Sequence, residues 1–271
     1  MRRALVCAVA VGAVAVGGLA ARAVNGPSTT PAGYAVLGLE DVTLRQGVHV
    51  DAGDVGANIG TVTLRAGVKV AGSVAARTIR VAGSALAGQL FCVVIEGSRK
   101  FSCEAVSVPI IDPANLGLVQ VLPGAANIDL RPRQRTAPLP AASYGTVRVG
   151  ARAFLVLAGG SYTFESIRLR TRSRLLCAAD CRIGVEGRVR LARAARVGTT
   201  TSEGAVTVRI EVQSGGHEPA VLAAPASTID AAVYAPSGGV VLGTAGQFTG
   251  SFIGRTVIVG PHAQVSTGRS R

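Results

Sequence analysis

Residues 42–50, VTLRQGVHV, return at 62–70 as VTLRAGVKV, with seven of nine positions identical. Each copy alternates apolar and polar residues, bends at a glycine and alternates again, the pattern of two short strands whose successive side chains point to opposite sides. A strand-bearing unit of about 20 residues cannot bury its own apolar face. It must lie on a neighbour of the same kind, so the repeat predicts a stack of coils. The same offset separates Val147 from Ile167, and the tail pairs VVLGTAGQF (240–248) with VIVGPHAQV (257–265), seventeen residues apart.

Strands this short leave two all-β architectures. Turns every 8 to 12 residues would suit a sandwich of antiparallel hairpins. Similar strings at one-coil offsets in three separate places favour a parallel β-helix, here expected to be right-handed with coils of about 17–20 residues. At about 4.8 Å per coil, some ten coils would make a rod of roughly 45 Å. The 4 % aromatic content and the absence of tryptophan fit a narrow core of aliphatic layers. No segment longer than about ten residues carries a helical period.

Residues 1–23 are set apart. Met1, Arg2 and Arg3 give a cationic start, residues 4–19 are apolar or glycine, and Ala21-Arg22-Ala23 is a small-x-small cleavage site. This is the pattern of a secretory signal peptide. A retained anchor is the competing reading, but a span wants about 20 strongly apolar residues, and this run is shorter and rich in alanine and glycine. The expected location is therefore outside the cell or in its envelope. Four cysteines follow, and export favours disulfides, with Cys92–Cys103 and Cys177–Cys181 the simplest of three connectivities. A zinc site is disfavoured, because neither pair has two-residue spacing. No other metal or cofactor is expected. Beyond residue 23 the chain holds 25 basic against 15 acidic residues, a net +10, and all but two of the basic residues are arginine. Such a bias can reflect genomic composition alone; it also favours contact with anionic polymers.

Residues 24–33 read as a flexible lead-in and 34–271 as one β-helix domain, its rhythm lost around 92–143. There FCVVIEGSRKFSC (91–103) is expected to be a disulfide-closed hairpin protruding from the stack. The run RPRQRTAPLP (131–140) is expected to be a proline-rich surface crossing or an inter-lobe linker.

Two groups of motifs carry a resemblance. One is LPAASYG (139–145) with GGSYTF (159–164), CAADC (177–181) and GRV (187–189). The other is VYAP (233–236), VVL (240–242), FTGSFIG (248–254) and VIV (257–259). They cover about half of the chain and resemble secreted bacterial β-helix proteins of mostly unknown function. The second group is similar to a C-terminal β-helix domain of some pilus-assembly-associated proteins and, more loosely, to bactofilins. The signal peptide and cysteines depart from the bactofilin pattern. The resemblance implies a β-helix and attaches no reaction to it.

Reactive clusters are sparse. Asp51 and Asp54 share a turn but lack the further oxygens a calcium site needs, and read as caps of local amides. His49, His217 and His262 have no partner positioned by motif and read as surface residues. Glu165, Asp180 and Glu186 could meet across adjacent coils and serve glycoside cleavage. The arginines form the clearer pattern. In IRLRTRSRL (167–175) the alternation turns Ile167 and Leu169 inward and Arg168 and Arg170 outward. Arg148, Arg188 and Arg190 share that parity, so stacked coils would place Arg148, Arg168, Arg170, Arg188 and Arg190 in a basic ladder on one face. Stacked like charges repel unless they are solvated, paired or covered by an anionic partner. A solvated face is the ordinary reading of a charge run; a strip for anionic polysaccharide is the functional one. Aromatics interleaved with these arginines are missing, which disfavours nucleic acid.

The expectation is thus a non-enzymatic structural or adhesive β-helix of the exterior or envelope, binding anionic polymers through the ladder and associating with itself through open coil ends. The alternative is a polysaccharide-active lyase or hydrolase.

Overall fold

The computed structural model describes residues 27–28, 30–97, 100–112, 116–200 and 206–268. The expected signal peptide lies outside the described residues. The chain is a parallel β-solenoid whose coils contribute up to three short strands each, so the rod has three faces, here A, B and C.

Face A fixes the layer order. Eleven strands stack as Ile128–Leu130, Thr146–Val149, Ser166–Leu169, Val189–Leu191, Val221–Ala223, Val240–Leu242, Phe252–Val259, Tyr34–Leu44, Thr61–Leu64, Lys69–Val81 and Leu86–Glu96. The repeats read from sequence lie in adjacent layers, with Val42 on Val62, Val147 on Ile167 and Val240 on Val257. Their inward rows are fully buried aliphatics, each contributing about 1.5–3 kcal/mol. Face B runs through Phe154–Leu157, Arg174–Cys177 and Arg196–Thr199, and face C through Gly160–Phe164, Cys181–Val185 and Val208–Val212.

The layer order is not the chain order. The C-terminal strand Phe252–Val259 stacks on the N-terminal strand Tyr34–Leu44, pairing Val36 with Phe252 and Val42 with Val257. The chain therefore begins in the middle of the rod, builds four layers to one end, returns to the opposite end, and builds back until its last coil meets its first. Apart from a register shift between Gly38 and Asp41, the junction is the same parallel pairing that joins the other layers. At the A–B corner of most coils a four-residue turn places its third residue in the left-handed region, and that residue's N–H donates to the turn carbonyl of the next coil. Arg152 donates to Thr171, Arg172 to Arg193, Ala194 to Pro225, Ala226 to Thr244 and Ala245 to Pro261. Across the junction His262 donates to Gln46, and Gly47 then donates to Ala66.

Residues 105–112 and 116–127 make the return. They run along face C as a strap that buries Ile111 and Val121 and leaves Leu118 and Leu122 exposed. The Ile111 N–H donates to Asn58 Oδ1 at 2.6 Å, the Tyr234 hydroxyl to the Gly117 carbonyl at 2.8 Å, and the Val121 N–H to Gln213 Oε1 at 2.7 Å. Beneath the strap a second small core joins Ile111 to Tyr34, Leu37 and Ile253. Face C carries glycine where the strap comes closest: a Cβ on Gly184 would sit 3.2 Å from Val121 Cγ2.

Three expectations change here. The run 131–140 is the end coil of the solenoid, not a crossing: Arg135 pairs with Phe154 and Leu139 with Leu157. Pro132, Pro138 and Pro140 leave that edge short of donors. Residues 91–96 are a regular layer, and the Cys92–Cys103 disulfide folds the following segment over it, with Phe91 bridged in parallel to Glu104. The disulfide thus closes the opposite end of the rod and does not bound a protruding hairpin. The lead-in is anchored at two points, the Tyr34 hydroxyl donating to the Ser28 carbonyl at 2.8 Å and the Ser28 N–H to Asp54 Oδ2 at 3.3 Å. Burial raises the Tyr34 pKa, with Asp54 adding to the effect. Cys177 and Cys181 are bonded as expected.

Candidate functional site

Residues 128–199 form the end of the rod that starts at the 131–140 coil. They hold fourteen arginines against four acids, Asp129, Glu165, Asp180 and Glu186, a net +10. The remainder of the chain beyond residue 23 has eleven basic and eleven acidic residues. The whole net charge after the expected signal peptide therefore sits in this one stretch.

On face A, Arg168 lies in register between Arg148 and Arg190. All three are exposed, at a coil spacing of about 4.8 Å. That is well inside the Debye length of about 10 Å, and repulsion between neighbours is on the order of 1 kcal/mol even at the dielectric of water. Asp129 ends the row on one side and Leu222 on the other. The ladder expected from sequence is thus three arginines long. Arg188 stands beside it, just before the strand Val189–Leu191, its carbonyl accepting from the Ile167 N–H. Arg170 does not belong to the row: it opens the corner turn, where its carbonyl accepts from the Ser173 hydroxyl at 2.6 Å. Glu218 takes up Arg188 and, at 2.6 Å, Arg190. Arg148 and Arg168 make no ion pair among the described residues.

The row borders an open concavity of about 610 Å³ lined by Arg148, Arg168, Arg188 and Arg190 together with Thr146, Ser166, Glu165 and Glu186. Glu165 and Glu186 occupy successive coils at the C–A corner, where the Glu186 N–H donates to the Phe164 carbonyl and the Gly187 N–H to the Glu165 carbonyl. Glu165 Oε2 accepts from the Thr146 hydroxyl at 2.8 Å. Two of the three acids grouped from sequence therefore meet. Asp180 does not join them: it sits before the face C strand, accepting from the Thr207 N–H at 2.6 Å and its hydroxyl at 2.9 Å. Those two hydrogen bonds hold its carboxyl below the usual aspartate value.

Two further basic columns were not legible in the strand parity. At the A–B corner Arg133, Arg152 and Arg172 hold the left-handed turn position, a backbone state costing about 1–2 kcal/mol for a residue with a Cβ. Gly47 and Gly67 fill the same slot in the N-terminal coils, but so do Ala194 and His262 in others, so the slot does not select arginine. On face B, Arg135, Phe154, Arg174 and Arg196 share a row. The guanidiniums of Arg135 and Arg174 lie 4.6 and 5.0 Å from the Phe154 centroid. An aromatic ring is thus interleaved with arginines on face B, apart from the ladder, with Arg135 and Arg174 coming from the layers on either side of Phe154.

The remaining candidates are local. Asp54 Oδ1 accepts from the Ser73 N–H at 2.9 Å, and His49 is in register with Lys69. No cluster of three or more metal-ligating side chains occurs among the described residues. Comparison of the chain with protein-family models, with curated proteins and with solved structures finds no match.

Proposed function

We propose that this is a non-enzymatic β-solenoid of the cell exterior or envelope that binds anionic polymers laterally, through the arginine-rich coils at one end. The observation that carries the reading is the in-register row Arg148, Arg168 and Arg190, whose first two members make no ion pair among the described residues, set in the stretch whose net +10 equals that of the chain beyond residue 23. An uncompensated row of like charge is destabilising by itself and is relieved by an anionic ligand. The two disulfides suit an oxidising compartment. The proline-bearing coil at one end and the disulfide-tied segment at the other favour lateral contact over end-to-end stacking. The neutral coils would then serve as a spacer or scaffold, in keeping with the resemblance to secreted bacterial β-helix proteins.

Retention on immobilised heparin tests this. The wild-type protein should need more salt to elute than Arg148→Ser/Arg168→Ser, whereas Arg45→Ser/Arg65→Ser, on the neutral coils, should elute with the wild type. Equal shifts for both pairs would mean general charge attraction and no site. A second reading, polysaccharide cleavage, rests on Glu165 and Glu186 lining the same concavity. It requires release of new chain ends from an acidic polysaccharide, abolished in Glu165→Gln.

A further inference from the structure

The concavity on face A is not purely basic. The arginine row passes hydroxyls at Thr146 and Ser166 in its first two coils and carboxylates at Glu165 and Glu186 in its second and third, so that the middle coil carries all three groups. All three rows advance by one coil per step. A densely charged polyanion without hydroxyl donors, such as polyphosphate, is attracted by the arginines and repelled by the glutamates a few positions away. A polymer that carries one anionic group and free hydroxyls on every repeat gains from both, since carboxylates accept strong hydrogen bonds from hydroxyl donors.

From this we infer, resting on the anionic-polymer reading above, that the ligand is a polyuronate, a linear polysaccharide with a carboxylate on each sugar, lying along the rod axis. One sugar spans roughly one coil of about 4.8 Å. Its carboxylates pair with Arg148 and Arg168 and compete with Glu218 for Arg190, and its hydroxyls donate to Glu165 and Glu186. Asp129 at one end of the row and Leu222 at the other limit the contact to about three sugars. The glutamates act as specificity-determining residues: they select hydroxyl-bearing chains and discriminate against bare polyanions.

The test uses calorimetric titration of the full chain, with its disulfides intact, by oligogalacturonates of two to six sugars and by inorganic polyphosphate. Wild-type affinity for the oligouronates should rise with length to three or four sugars and then level. Glu165→Gln/Glu186→Gln should lower oligouronate affinity roughly tenfold, the worth of about one charged hydrogen bond, and raise polyphosphate affinity. Opposite shifts for the two ligands support the inference, and a folding defect would not produce them. If the double variant binds both ligands more tightly, the glutamates only repel and the polyuronate assignment is wrong. If the wild type binds polyphosphate through Arg148 and Arg168 but ignores oligouronates, the inference fails while the anionic-polymer reading stands. If neither ligand binds, both fail.

Discussion

The junction between the last coil and the first makes Phe252 a decisive position. Its ring is fully buried, lies in register between Val233 and Val36, and meets Phe248 edge-on with centroids 5.9 Å apart. Removing a buried phenylalanine ring costs about 3–5 kcal/mol, of which about 0.5–1.5 kcal/mol is the aromatic pair. Collapse around the cavity is restricted here, because Val36 and Val233 belong to ladders on both sides. For a chain of this size, at about 2–4 °C per kcal/mol, Phe252→Ala should lower Tm by on the order of 10 °C. A rod stacked in chain order would place this strand at a free end, where loss of the ring would fray one coil. Urea unfolding followed by circular dichroism should therefore show a larger loss for Phe252→Ala than for Leu130→Ala, whose coil has a neighbouring layer on one side only. Native-state hydrogen exchange should show amides of 34–64 loosening together with those of 252–266. A smaller loss than for Leu130→Ala, or exchange confined to 252–266, would refute the permuted order.

Other consequences can be checked separately. Thr43→Cys/Ile258→Cys should form a disulfide on air oxidation, since these residues are in-register neighbours across the junction at a spacing inside the range of about 4.4–6.8 Å that such bonds need; a free-thiol titre of two would contradict the pairing. Gly184→Ile should lift the strap, because a Cβ there already meets Val121 at 3.2 Å, and limited proteolysis should then cut within 105–127. Arg170→Ser should leave heparin retention near wild type while Arg168→Ser reduces it, as only the latter stands in the row. The folded-state pKa of Asp180 is depressed by Thr207, so its contribution to stability is present above the ordinary aspartate value and is lost as pH falls through the lower folded value. The destabilisation caused by Asp180→Asn at neutral pH should accordingly disappear in acid; a constant penalty would assign the effect to shape and not charge.

The coil repeat, the inward rows and the alternation of Arg168 with Ile167 and Leu169 are legible in the sequence because strand parity is local: a side chain's direction follows from its immediate neighbours. For the same reason the row formed by Arg148, Arg168 and Arg190 could be aligned from one-coil offsets, and Arg170 was misplaced only because the strand ends at Leu169 and the corner turn interrupts the alternation. Turn positions also hid the column of Arg133, Arg152 and Arg172, whose direction depends on a left-handed backbone that no two-residue period reports.

Which coil lies on which is a different kind of fact. Every coil presents the same ladder of parallel hydrogen bonds above and below, so local pattern permits any order. Only the packing of whole layers, with a return segment able to cover face C, selects the one in which Val257 supports Val42. The tertiary structure alone therefore decided that 131–140 ends the rod, that 105–112 and 116–127 strap it, and that Glu165 and Glu186 share a concavity from which Asp180 is excluded.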